Sequence, residues 1–168
     1  MTARVSNDQW EPLQGALPQA TEVGRVYVIP TRTSGGSNTR DRVELYYPDN
    51  VRYLPKAARL QNLPVEFSQP EGGRHYVQEF GVDPETWSLG LAFLSLANDW
   101  LILTVSLFIA HRADLQGWTT EQAEQLPLKV LISETGTLRN WQIEGSGSEV
   151  LEALRILRRG ATEDDRGA

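Results

Sequence analysis

Residues 87–110 read WSLGLAFLSLANDWLILTVSLFIA, an almost continuous run of apolar side chains. On a helical wheel the small and polar side chains fall on one narrow stripe, which includes Ser88, Ser95, Asp99 and Ser106. A helix that is apolar on nearly all of its sides is either the buried centre of a domain or a membrane span. The stretch therefore predicts a long apolar helix at the centre of the fold.

The start of this helix is predicted by Asp83 and Pro84, because an aspartate accepts from free first-turn amides and a proline needs no donor there. The run is long enough to cross a bilayer, which takes about 20 residues. Against a span stand Asn98 and Asp99, since a central aspartate costs roughly 2.5–3.5 kcal/mol on insertion scales. We expect a buried helix, with a membrane span or a helical hairpin breaking at Asn98 and Asp99 as the alternatives.

The chain before this run reads as short strands around one helix. Residues 1–24 show no sustained hydrophobic periodicity and are expected to form a loosely ordered arm. Residues 25–29 and 43–47 are β-branched and aromatic, which predicts a hairpin with a long tip. A short helix ending near residue 63 and a strand over residues 63–67 follow.

The chain after the run predicts a β-hairpin over residues 128–144. If Thr135 and Gly136 occupy the turn, Val130 faces Trp141 and the apolar side chains gather on one face. A half-buried hairpin requires such a register.

Two capping boxes flank this hairpin. Thr119 with Gln122 and Ser146 with Glu149 have the spacing in which each side chain bonds the other residue's backbone amide. The second box predicts a C-terminal helix, for which Gly160 supplies the end.

Together these elements predict an α+β fold, in which a small antiparallel or mixed sheet packs against a long apolar central helix and a C-terminal helix. The predicted organisation is an N-terminal arm (1–24), a single domain (25–160) and a disordered acidic tail (161–168).

Composition excludes several classes of site. The chain has 168 residues and no cysteine, so no disulfide, zinc–thiolate site or thiol nucleophile is available. Its net charge of −6 and scattered arginines argue against a nucleic-acid partner. With no apolar leader at the N-terminus, we expect a cytoplasmic protein.

The sequence contains no complete catalytic motif. His75 and Glu79 have the spacing of an acid–base pair, but alternate strand residues share a face in any case. His111 reads as a cation near a helix C-terminus, and Asp99 as part of a solvated stripe or a buried acid. The Gly-Ser run over residues 145–148 lacks the lysine of a phosphate loop, so a helix cap is the simpler reading. We expect no catalytic residue, metal or cofactor.

Residues 63–160 resemble the effector-associated constant component family of bacterial conflict systems. The resemblance is carried by the turn over residues 70–73, an apolar run ending in His111 and Arg112, a hairpin turning at Gly136, and the final helix. It implies a small non-catalytic protein that is encoded beside effector proteins.

We therefore expect a non-enzymatic protein-interaction or accessory module that binds another protein. The candidate contact residues are Arg52, Tyr53, Arg59 and Trp118, because arginine and aromatic side chains dominate interface energetics. Two alternatives remain: a small enzyme or ligand-binding domain using Asp, Glu, Ser and Arg side chains, and a membrane-associated accessory protein acting through residues 87–110. Each of these three hypotheses is compatible with a homo-oligomer.

Overall fold

The computed structural model describes residues 3–7, 10–33, 44–77, 87–95 and 100–166. The strands in these ranges are β1 (Arg4–Asn7), β2 (Val26–Val28), β3 (Arg32–Thr33), β4 (Leu45–Pro48), β5 (Val65–Phe67), β6 (His75–Val77), β7 (Trp87–Phe93), β8 (Pro127–Glu134) and β9 (Arg139–Ser146). The α-helices are α1 (Leu54–Leu60), α2 (Trp100–Gln116), α3 (Thr120–Glu124) and α4 (Gly147–Arg166). Single 3-10 turns are formed by Asp49–Val51 and Glu71–Gly73.

Six strands form one mixed sheet in the order β1-β9-β8-β7-β2-β5. β7 runs parallel to β8, and β2 runs parallel to β5, while the other neighbours are antiparallel. A smaller sheet has the order β3-β4-β6. The predicted α+β class, with a mixed sheet and a C-terminal helix, is confirmed.

One face of the large sheet carries the main core. The strand residues in this core alternate along each strand, as the period of two requires. They are Val26, Val28, Val65, Leu89, Leu91, Phe93, Leu128, Val130, Ile132 and Ile143. Buried side chains of α1, α2, α3 and α4 belong to the same cluster, so the helices pack on this face.

The prediction of one long helix over residues 87–110 is wrong. Its first part is strand β7, and α2 begins only at Trp100 and continues to Gln116. The helical-hairpin alternative fails for the same reason, while Asp83, Pro84, Asn98 and Asp99 lie outside the described residues.

The apolar run misled because β7 lies between β8 and β2 and is buried on both faces. Such a strand shows no polar alternation, so its sequence resembles that of a buried helix. Gly90 lies in this strand at a position with no room for a side chain, since a Cβ there would lie 2.5 Å from Thr31 Cγ2. No helix within the described ranges is both long and apolar enough to cross a membrane.

The predicted strand over residues 25–29 is confirmed as β2, but its pairing with residues 43–47 is wrong. β2 pairs with β5 and β7, whereas β4 pairs with β3 and β6 in the smaller sheet. All three residues of β2 are buried, and a central strand has no edge left for a hairpin partner.

The N-terminal segment contributes an edge strand to the large sheet. β1 lies within the segment expected to be a loosely ordered arm, and it pairs antiparallel with β9. Residues 10–25 contain no helix or strand, yet Ala16 is fully buried.

The predicted β8–β9 hairpin is confirmed, but its register is wrong by two residues. Val130 faces Ile143, and Trp141 faces Ile132 instead of Val130. The turn spans residues 135–138, with Leu138 at a φ of 57°. A shift of two residues leaves each side chain on its predicted face.

Both predicted capping boxes are confirmed, whereas the predicted helix end and disordered tail are wrong. α4 passes through Gly160 and continues to Arg166. One glycine destabilises a helix by about 1 kcal/mol relative to alanine. This cost is too small to end a helix whose Val150, Leu151 and Leu154 pack in the core. Residues 167–168 lie outside the described ranges.

Candidate protein-interaction surface

Two of the four predicted contact residues lie side by side. Arg52 and Tyr53 occupy the junction between the 3-10 turn Asp49–Val51 and α1, and both are exposed. Arg59 is exposed on α1, and Trp118 is exposed just beyond α2. In the part of the chain that the structure describes, no hydrogen bond or ring contact joins Arg59 or Trp118 to the first two.

Arg52 is held by an aromatic ring and by the turn that precedes it. Its backbone N–H donates to the Asp49 carbonyl at 3.1 Å, which closes the 3-10 turn. Its Cζ lies 4.5 Å from the centre of the Tyr76 ring, and its Nε lies 3.8 Å from Asp49 Oδ1. The guanidinium is therefore attracted by the negative face of the ring while its side chain stays partly in solvent.

Tyr76 packs against two further aromatic rings. The Tyr47 ring centre lies 5.1 Å from that of Phe67 and 5.7 Å from that of Tyr76. Tyr47 is fully buried, and burial raises the pKa of its hydroxyl. Arg74 Cζ lies 4.5 Å above the other end of the cluster, the Phe67 ring. β4, β5 and β6 thus fix two arginines on one set of rings.

Tyr53 is held against α2. Its ring centre lies 6.4 Å from that of His111, and the residue is 54% exposed. His111 was expected near a helix C-terminus, and it lies in the second half of α2, which continues to Gln116. We call Arg52, Tyr53, Tyr76 and His111 the arginine–aromatic surface.

Of the residues considered for catalysis, the structure describes the two histidines, and no hydrogen bond or ring contact joins them. His75 is exposed in β6, where its ring contacts Tyr46 at 5.4 Å between centres. Glu79 and Asp99 lie outside the described residues. Among the residues that are described, no group of three or more histidines and carboxylates could hold a metal ion.

The Gly-Ser run before α4 is a helix cap. The Glu149 N–H donates to Ser146 Oγ at 3.3 Å, and the Ser146 N–H donates to Glu149 Oε1 at 3.2 Å. Hydrogen bonding of the Glu149 carboxylate to the Ser146 side chain and to its backbone N–H lowers the pKa of Glu149. A carboxylate already occupies this helix start, where a bound anion would otherwise lie.

Arg112 is a buried cation, which the sequence pattern did not predict. It is 2% exposed, its Cζ lies 4.5 Å from the Trp87 ring centre, and its Nη1 donates to the Pro127 carbonyl at 3.1 Å. Burial lowers the pKa of Arg112 to about 10, so the guanidinium stays charged at neutral pH. An arginine at the end of an apolar run was visible in the sequence, but its strand partners were not.

The chain matches no protein-family model, no curated protein and no solved structure.

Proposed function

We propose that this protein is a non-enzymatic interaction module that binds another protein through the arginine–aromatic surface. The observation that carries the proposal is that Arg52 and Tyr53 are exposed neighbours, and that each contacts a ring. Arg52 lies over the Tyr76 ring, and Tyr53 contacts the His111 ring. Arginine and tyrosine are enriched among residues that contribute most to binding. Side chains that are already positioned also lose less conformational entropy when a partner binds.

The charges beside this surface favour an acidic partner. Asp49 lies 3.8 Å from Arg52, but three further cations are close by. Lys56 and Arg59, the charged side chains of α1, are both exposed, and Arg74 lies over the Phe67 ring. An arginine fork binds a carboxylate with two parallel hydrogen bonds. The partner surface is therefore expected to present aspartate or glutamate next to an apolar group that packs on Tyr53.

The resemblance to the effector-associated constant component family suggests the kind of partner. On that basis we propose an effector protein encoded beside this chain and present with it in the cytoplasm. This part of the proposal is supported by the resemblance alone, and the arginine–aromatic surface supports the binding role without it.

The experiment has two stages. Tagged protein is first used to co-purify the product of each neighbouring gene after co-expression, and the affinity for the recovered partner is then measured by calorimetry with purified proteins. Arg52→Ala and Tyr53→Ala should each weaken binding roughly thirtyfold, the equivalent of about 2 kcal/mol.

Arg139→Ala is the matched control, because Arg139 is exposed at the start of β9, in the large sheet, whereas the ring beneath Arg52 belongs to the smaller one. It should leave the affinity unchanged. The proposal is wrong if the control weakens binding as much as Arg52→Ala does. It is also wrong if the purified chain turns over a substrate unaided and loses that activity in His75→Ala or His111→Ala.

A further inference from the structure

Gln69 joins the N-terminal segment to an arginine of the smaller sheet. It lies just beyond the end of β5. Its side-chain Nε2 donates to the Gly15 carbonyl at 2.8 Å and to the Ala16 carbonyl at 3.3 Å. Its own backbone carbonyl accepts from Arg74 Nε at 2.9 Å. One residue therefore connects two segments that are far apart in the chain.

The N-terminal side of this connection is a strap, by which we mean residues 10–17. At its start, Trp10 packs against a small apolar cluster beside β2 and β7. Near its end, Ala16 is fully buried. Residues of the strap and Asn140 of β9 line an open cleft of about 340 Å³. The strap is thus held at a few points and does not pack closely along its whole length.

The direction of Arg74 depends on Gln69. Its Cζ lies 4.5 Å from the centre of the Phe67 ring, and the bond from Nε to the Gln69 carbonyl restrains the rotation of the guanidinium above that ring. The backbone N–H of Gln69 also donates to the Tyr47 hydroxyl at 3.1 Å. A displacement of Gln69 would therefore disturb the arginine and the ring cluster together.

We propose that the strap regulates partner binding by positioning Arg74 through Gln69. The docked strap holds Gln69, which holds Arg74 in one direction, and a detached strap leaves the guanidinium mobile. A positioned arginine loses less conformational entropy when it binds a carboxylate, so the docked strap raises the affinity for an acidic partner. The coupling is reciprocal, so a bound partner also favours the docked strap. The effect on affinity rests on the function proposed above, whereas the effect on Arg74 does not.

The first test needs no partner. Nuclear magnetic resonance of the arginine Nε–H groups measures their mobility and their exchange with water in the purified chain. Gln69→Met keeps the side-chain length but removes the donor, and Ala16→Gln places a larger side chain at a buried position of the strap. Each should make the Arg74 Nε–H exchange about fivefold faster, as for the loss of one ordinary hydrogen bond. Ala20→Gln is the matched control, since Ala20 is exposed outside the strap.

The second test measures affinity by calorimetry for the partner protein identified by co-purification. Gln69→Met and Ala16→Gln should each weaken binding about fivefold, less than the roughly thirtyfold loss expected of Arg52→Ala. In an Arg74→Ala background, most of the further loss from Gln69→Met should disappear, because the side chain that Gln69 positions is gone. A loss caused by general destabilisation would persist in that background.

The proposal is overturned if Gln69→Met leaves the Arg74 Nε–H as rigid as in the wild type, or if Ala20→Gln loosens it equally. Gln69→Met alone decides this point if Ala16→Gln does not fold. The regulatory role is also overturned if Arg52→Ala weakens binding while Gln69→Met leaves the affinity unchanged. If Arg52→Ala itself has no effect, the function proposed above is wrong, and the mobility of Arg74 decides whether the strap positions it.

Discussion

Arg112 and Arg52 each place the guanidinium carbon 4.5 Å from the centre of an aromatic ring, Trp87 in one case and Tyr76 in the other. Their surroundings differ. Arg112 is 2% exposed and lies among α2, β7 and β8, whereas the side chain of Arg52 is 47% exposed beside α1. The same contact geometry is thus found both in the core and on the surface.

The difference shows that environment decides what a cation–π contact does. In the core, water cannot replace the ring or the Pro127 carbonyl as a partner of Arg112. Removing either side of that contact is therefore costly. At the surface, water competes with Tyr76, so the contact stabilises the fold little and mainly fixes the direction of Arg52. A buried pair holds strands and a helix together, while an exposed pair is available to a partner.

The largest expected effect is that of removing the buried arginine. Arg112→Ala should lower the free energy of unfolding by about 3 kcal/mol, because it leaves a cavity and a carbonyl without its donor. Arg52→Ala should lower it by less than about 1 kcal/mol. Chemical denaturation of the two variants and the wild type measures both values.

Arg112→Met separates packing from charge in this experiment. Methionine fills much of the volume without a buried charge, so this variant should be more stable than Arg112→Ala. Equal losses from Arg112→Ala and Arg52→Ala would contradict the distinction between the two contacts.

A smaller effect is expected for the contacts themselves, measured as coupling energies. A double-mutant cycle of Arg112→Met with Trp87→Leu should give about 2 kcal/mol, the value for a desolvated cation–π pair. The same cycle of Arg52→Met with Tyr76→Leu should give about 0.5–1 kcal/mol. A surface coupling as large as the buried one would show that solvent does not set the difference.

Local features of the fold could be predicted from the sequence. Capping boxes were predicted correctly because both partners lie three residues apart, as with Thr119 and Gln122. The alternation of the β8–β9 hairpin predicted its faces, but not its register. The observed register depends on Leu138 adopting a positive φ, which a large side chain rarely does.

Contacts between segments that are distant in the chain could not be predicted from the sequence. The run that begins at Trp87 is apolar on all sides both as a buried strand and as a buried helix, so only its position between β8 and β2 decides. Exposed Arg52 and Tyr53 could be proposed as contacts from residue type alone. Their support by Tyr76 and His111 arises from strands and helices far apart in the chain.

The smallest expected effect concerns a charged contact at the start of α4, where solvent again competes. Hydrogen bonds from the Ser146 side chain and backbone lower the pKa of Glu149 below its ordinary value of 4.5. A lowered pKa in the folded state means that the stabilisation is present above the unfolded pKa and is lost as pH falls through the folded one. The stability advantage of the wild type over Glu149→Gln should therefore be greatest above about pH 5 and shrink as the solution is acidified further. Denaturant unfolding of both proteins at neutral and acidic pH measures this advantage. Ser146→Ala should reduce its pH dependence, because the side chain that lowers the pKa of the Glu149 carboxylate is gone. An advantage that stays constant from neutral to acidic pH would mean that the Glu149 carboxylate does not hold the cap.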